Sequence, residues 1–162
     1  MANFYDNIME HFASTRLGAW FFLNIANPLD KRVLRWSRGR FSTSVGTRFN
    51  HSFVLITCKG AKTGLNRTVP LLATFDGDDI ILIASKGGYE QNPDWYHNLR
   101  NNPEATVEHQ GMRFRYIAHE AEENERERLW RLAVENYIGY EKYQQHTSRK
   151  IPVMVLKRID TE

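Results

Sequence analysis

Cysteine is almost missing from this chain: Cys58 is the only one in 162 residues. No intrachain disulfide can form, which fits a reducing compartment, and an inert thiol buried at a strand end is the plainer reading of Cys58. Metal-ligand spacing is missing too. The six histidines, at positions 11, 51, 97, 109, 119 and 146, form no HxxxH pair and no cysteine–histidine set, so no metal centre is expected. Ser85 lacks a G-x-S-x-G frame, which excludes a nucleophile elbow. The acidic run Glu120–Glu127 is interleaved with Arg126 and Arg128. That pattern describes a salt-bridged helix surface, not a pair of catalytic carboxylates. With no metal, triad or carboxylate pair, any hard chemistry falls to a bound organic cofactor. The longest apolar run, Leu17–Ile25, is broken by Asn24 and falls far short of the ~20 residues of a membrane span. Met1–Glu10 contain Asp6 and Glu10 and no basic start, so no secretory signal is expected and the expected location is cytoplasmic.

What is present suits one soluble domain with a sizeable core: 41% hydrophobic and 25% charged residues, and a net charge of +3. The charge is uneven. Residues 1–52 hold seven Lys/Arg against three Asp/Glu, about +4, which leaves about −1 on the rest. Such a segment can face water or the inner face of a membrane. It lacks the interleaved aromatics of a nucleic-acid stacking platform, so no nucleic-acid partner is expected.

Residues 1–52 read as a helical segment packing on the remainder. Asn27-Pro28 is a helix start, and Leu29, Val33, Leu34 and Trp36 form a broad stripe after it. From residue 53 to 162 the pattern changes to strands. Runs at Phe53–Cys58, Thr68–Phe75 and Ile80–Ser85 are separated by a basic loop and by the Asp76-Gly77-Asp78-Asp79 turn. Pro70 calls for a strand edge or a bulge. Asn92 and Pro93 open a helix that ends before Pro103, with Asp94 complementing its dipole. Ala105–His109 and Met112–Ala118 form a hairpin around Gln110-Gly111. Glu122–Tyr137 is a charged amphipathic helix, and Ile151–Ile159 is a last strand. The short antiparallel connections favour a mainly β, small-barrel fold with peripheral helices over a doubly wound sheet.

Two segments suit an anion. In Lys59–Arg67, Gly60 and Gly64 allow positive φ, so backbone N–H groups can converge, while Lys62, Thr63 and Arg67 add charge and a donor. The spacing is not that of a P-loop, and a basic hairpin turn is the plainer alternative. Ser85-Lys86-Gly87-Gly88, leading to the helix start at Asn92, is a second place for a phosphate or carboxylate. Trp95 and Tyr96 read as packing residues. Tyr137, Tyr140 and Tyr143 recur every three residues near a helix end; they either line a flat pocket or form an ordinary amphipathic tail.

These stretches resemble the deazaflavin (coenzyme F420)-dependent nitroreductase and quinone reductase family of actinobacteria. The resemblance rests on Gly60-x-Lys62-Thr63-Gly64-x-x-Arg67-x-x-Pro70-Leu71, Ala84-Ser85-Lys86-Gly87-Gly88, Asn92-Pro93-x-Trp95-Tyr96-x-Asn98-Leu99, Asn102-Pro103, and Tyr140-x-x-Tyr143-Gln144-x-x-Thr147-x-Arg149-x-Ile151-Pro152-Val153. Ala61 departs from it, standing where the family commonly carries Arg or Lys. The resemblance implies a split β-barrel of the flavin-reductase type. It implies an oxidoreductase that passes a hydride from reduced deazaflavin to a quinone, nitroaromatic or similar electron-poor acceptor. The cofactor's phosphate and tail would lie on Lys62, Thr63, Gly64, Arg67 and the following Thr68, Pro70, Leu71 and Leu72. Its ribityl chain and ring edge would lie on Ala84, Ser85, Lys86, Asn92, Pro93, Asp94, Trp95 and Tyr96. Ser85, Tyr137, Tyr140 and Tyr143 would face the acceptor, in a monomer or a homodimer. The alternatives are an FMN-dependent reductase on the same barrel, and a non-catalytic protein that binds the deazaflavin or a lipid-like ligand.

Overall fold

The computed structural model describes residues 53–159. The expected helical segment at 1–52, with its apolar stripe and basic charge, lies outside the described residues. Six strands close into an antiparallel barrel: β1 (Phe53–Lys59), β2 (Asn66–Asp76), β3 (Asp79–Ile83), β4 (Glu104–His109), β5 (Met112–Glu120) and β6 (Val153–Ile159). Their order around the barrel is β1-β2-β3-β6-β5-β4. Three helices sit outside it: α1 (Asp94–Asn101), α2 (Glu123–Asn136) and α3 (Gly139–Gln145). The mainly β barrel expected from the sequence is the fold observed.

Local chemistry explains the hairpins. Gly77 at φ +64° turns β2 into β3, pairing Asp76 with Asp79. Gln110 and Gly111, at φ +50° and +81°, do the same between β4 and β5. Alternation along the strands then builds two cores. Val54, Ile56, Ala73, Ile80, Leu82, Val107, Tyr116, Met154 and Leu156 fill the barrel. Ile81, Ile83, Val153 and Val155, which alternate with them, meet Leu129 and Ala133 of α2, Tyr137, and Tyr140 and Tyr143 of α3 on the outside. Most boundaries shift by a residue or two, the last strand beginning at Val153 rather than Ile151. β3 stops at Ile83 because its next partner in register is Pro152, which accepts from the Ala84 N–H at 3.0 Å but has no N–H to return. The run after Asn136 is not the tail of α2 but a separate short helix, since Tyr137 is already extended at ψ +102°. Gly139 makes that corner possible: a Cβ there would sit 2.3 Å from the Tyr137 ring.

The register positions the site. β2 pairs with β3 only from Ala73 to Asp76, so among the described residues Asn66–Leu72 pairs with β1 alone and its other edge is unpaired. Pro70, which has no N–H to give, falls on that edge as expected. β1 runs into the loop at residues 60–65 and β2 leaves it. β3 runs towards the same end and passes into residues 84–92. Both anion-suited segments therefore lie at one end of the barrel. The turns at 76–79 and 109–112 lie at the other.

Candidate functional site at one end of the barrel

The loop between β1 and β2 is tight. Gly60 N–H donates to the Leu65 carbonyl at 2.9 Å, and Gly64 N–H to the Gly60 carbonyl at 2.8 Å. Gly64 has φ +69°, as expected. Gly60 does not have positive φ. It is needed because a Cβ would come within 3.0 Å of Thr63 Oγ1 and 3.1 Å of the Leu65 carbonyl. The helix α1 braces this loop: Ala61 N–H donates to Asn98 Oδ1 at 2.9 Å, and Asn102 Nδ2 to the Lys59 carbonyl at 3.5 Å. Lys62, Thr63, Gly64 and Arg67 are exposed. Among the described residues, Lys62, Arg67 and Lys86 take no part in an ion pair, so their charges remain available. Cys58, at the foot of the loop, is buried as expected, and that burial pushes its thiol pKa up.

The second segment is built differently from the sequence expectation. Asn92 does not cap α1. Pro93 occupies the cap position, without a side-chain bond, and Asn92 Oδ1 accepts from Arg149 Nη1 at 2.6 Å. The anion-suited feature is the turn itself. Ser85 is right-handed (φ −69°, ψ −40°), while Lys86 and Gly87 are left-handed at φ +48° and +66°. A right-handed residue followed by a left-handed one makes successive N–H groups converge into a nest. Lys86 is not glycine, so its positive φ is held by the surroundings. Gly88, at φ +83°, lets α3 close on this turn, because a Cβ there would lie 2.8 Å from the Tyr143 carbonyl.

Tyr137, Tyr140 and Tyr143 come together as one buried cluster. Ring centroids are 5.1 to 6.4 Å apart, and the Tyr137 and Tyr143 hydroxyls are 3.2 Å apart. Burial raises the pKa of Tyr140, and that of Tyr143 despite its bond to Tyr137. Leu72 and Ile83 pack in the same outer cluster, which brings the tyrosines beside the end of β3 and the Ser85 turn. Other candidates lie elsewhere. Leu71 points to the barrel interior. Thr68 Oγ1 is engaged with Thr57 Oγ1 at 2.9 Å, and Pro70 is buried. Trp95 and Tyr96 are core residues of α1, the Tyr96 hydroxyl donating to Glu120 Oε2 at 2.8 Å and accepting from Arg100 at 3.2 Å. Asp94 is exposed in the first turn of α1. On α2, Arg128 pairs with Asp76 at 2.8 Å as a surface ion pair, while Arg126 donates to the Ile151 carbonyl at 3.0 Å.

The site residues that sequence reasoning missed are Asn98, Asn102 and Arg149. Asn98 and Asn102 are four residues apart, hence on one helical face, and that spacing was a usable signal. Nothing around Arg149 marked it apart from its place in the resemblance.

Known proteins match this arrangement. Residues 30–158 match the family described as F420H(2)-dependent quinone reductase. An F420H(2)-dependent quinone reductase of Mycobacterium tuberculosis is 41% identical over 108 residues, covering 65% of this chain and 72% of that protein. A solved structure of an F420-H2 dependent reductase is 40% identical with a TM-score of 0.62, covering 65% of this chain and 94% of its own. Another, described as a domain-swapped dimer, is 35% identical with a TM-score of 0.64, covering 80% of this chain and 96% of its own.

Proposed function

The chain belongs to the F420H(2)-dependent quinone reductase family, an oxidoreductase family using coenzyme F420, and we propose that the cationic end of its barrel is where the deazaflavin is held. The observation that carries the assignment is the set of cations left without acidic partners among the described residues, Lys62, Arg67 and Lys86, at the end where the β2 edge is unpaired among those residues. A strongly anionic tail and phosphate need such charges, and the Ser85–Lys86 nest supplies convergent N–H groups beside them. Lys62, Thr63, Gly64 and Arg67 hold the tail. Ala84, Ser85 and Lys86 hold the portion nearer the ring.

When bound, the reduced deazaflavin supplies a hydride for a quinone or similar electron-poor acceptor. The chain contributes orientation and charge stabilisation. Tyr137, Tyr140 and Tyr143 form an aromatic wall next to the Ser85 turn. Their neutral hydroxyls, and that of Ser85, are donors for an oxygen that gains charge. The raised pKa values of Tyr140 and Tyr143 keep them protonated at neutral pH. No helix among the described residues is long and apolar enough to cross a membrane. The reading places the protein in the cytoplasm, with the basic first third as its contact with the inner membrane face when the acceptor is a lipid-soluble quinone. Vesicle flotation with anionic lipid tests that contact, and light scattering decides between monomer and homodimer.

The central test is titration of the purified protein with the deazaflavin. Lys62→Ala and Arg67→Ala are each expected to weaken binding about tenfold, the loss of one charge-assisted contact of ~1.4 kcal/mol. Unchanged affinity in both variants would remove the tail from this loop.

A further inference from the structure

Resting on the reading above, we propose that Arg149 is the positioning residue that holds the Ala84–Asn92 segment in its anion-receiving shape and ties it to the tyrosine-bearing helix α3. Its guanidinium is spent on the segment's own backbone. Nη2 donates to the carbonyls of Ala84 at 3.0 Å and Ser85 at 2.9 Å. Nε donates to the Tyr89 carbonyl at 2.9 Å, and Nη1 to Asn92 Oδ1 at 2.6 Å. Four acceptors spread over nine positions thus converge on one planar fork. Lysine, with a single rotating ammonium, cannot reproduce this.

The residues that Arg149 grips flank the left-handed run Lys86-Gly87-Gly88 on both sides. A non-glycine residue with positive φ persists only where its surroundings hold it. Drawing the carbonyls of Ala84 and Ser85 towards one cation fixes the entry to that run, and the Tyr89 carbonyl fixes its exit. The same stretch is anchored from the other side. Ser148 donates to the Glu90 carboxylate through its N–H at 2.9 Å and its Oγ at 3.1 Å. Gln144, on α3, donates to the Arg149 carbonyl at 2.8 Å and accepts from the Ile151 N–H at 2.9 Å. The link therefore runs from the nest, through Arg149 and Gln144, into the helix that carries Tyr140 and Tyr143. Among the described residues Arg149 forms no ion pair within salt-bridge distance, and the nearby Glu90 carboxylate partly offsets its charge.

Amide hydrogen exchange of the cofactor-free protein tests the holding role. Arg149→Gln and Arg149→Lys are both expected to speed exchange at Ser85–Tyr89 at least tenfold, with the barrel strands unchanged. Deazaflavin affinity in the same variants is expected to fall at least tenfold, whereas Lys62→Ala lowers affinity without altering exchange at Ser85–Tyr89. Asn92→Ala, which removes one of the four acceptors, gives a smaller change in the same direction. It serves where an Arg149 variant fails to fold. Exchange at the parental rate in the variants overturns the proposal, and so does faster exchange with parental affinity. If the parent protein binds no deazaflavin, the functional reading falls, and the exchange rates still decide whether Arg149 holds the turn.

Discussion

The loops at the two ends of the barrel handle charge differently. At the end formed by the turns 76–79 and 109–112, two carboxylates of the first turn are paired. Asp76 meets Arg128 at 2.8 Å and Asp78 meets Arg158 at 3.8 Å. The Arg158 guanidinium also lies over the Phe114 ring, 3.6 Å from its centroid. At the opposite end Arg115 pairs with Glu104 at 3.7 Å and Arg100 with Glu120 at 3.8 Å, but Lys62, Arg67 and Lys86 on the loops stand without acidic partners among the described residues, and the hydrogen bonds of those loops set backbone shape instead. A closed end can satisfy itself internally. On the proposed reading, the end that receives an anion leaves its loop cations free and uses neutral groups such as Asn98 and backbone carbonyls to set the geometry, which separates charge kept for a ligand from charge used in folding.

The largest contrast is expected from removing charge at the open end. Lys62→Ala combined with Arg67→Ala should weaken deazaflavin binding about a hundredfold, ~2.7 kcal/mol, and flatten its salt dependence, with little change in the melting temperature. Titration at two salt concentrations checks this. An affinity loss confined to one of the two cations would show that the loop grips the tail at a single point.

Glycines at the two ends come next. Gly88→Ala places a Cβ at φ +83° and 2.8 Å from the Tyr143 carbonyl, whereas Gly77→Ala at φ +64° meets nothing within 4 Å. The first is expected to cost ~2–3 kcal/mol and to lower cofactor affinity. The second should cost ~1 kcal/mol, from backbone strain alone, and leave affinity intact. Denaturant melts and binding curves compare them directly.

Alkaline pH should act on the tyrosine cluster. The folded state raises the pKa values of Tyr140 and Tyr143 above the unfolded value. Their contribution to stability is therefore fully present below about pH 10 and is lost as pH rises through the folded values. Phenolate absorbance should show these two ionising together with unfolding. Early reversible ionisation of both in the folded protein would mean that the cluster is open to water.

The smallest effect belongs to the closed end. Asp76→Asn weakens an exposed pair and should cost under ~1 kcal/mol, with deazaflavin affinity unchanged. Loss of binding in that variant would mean that the ends are coupled through the barrel.

Much of the fold was legible because its signals are local. The turns at Asp76–Asp79 and Gln110–Gly111 carry the residues that positive φ requires, and the apolar runs between them marked the strands. The core role of Trp95 and Tyr96 followed from their place on the first turn of α1. Less of the site could be read. Asn92 looked like a helix cap because asparagine before proline usually is one, but the Arg149 guanidinium competed for its side chain and won it. The tyrosines left two readings open, since their spacing does not reveal whether Gly139 lets the chain turn and stack them.

By itself the sequence determined the strands, their turns and the basic loop, each a matter of residue type at short spacing, while its family resemblance supplied the class of cofactor. Tertiary structure alone decided that the loop and the Ser85 turn share one end of the barrel. It also decided that α1 braces the first and Arg149 the second, and that Asp76 and Asp78 at the far end meet arginines. The physical reason is separation along the chain. Asn98 reaches back 37 residues to Ala61, and Arg149 reaches 65 residues to Ala84. Only strand register brings such groups within hydrogen-bond distance.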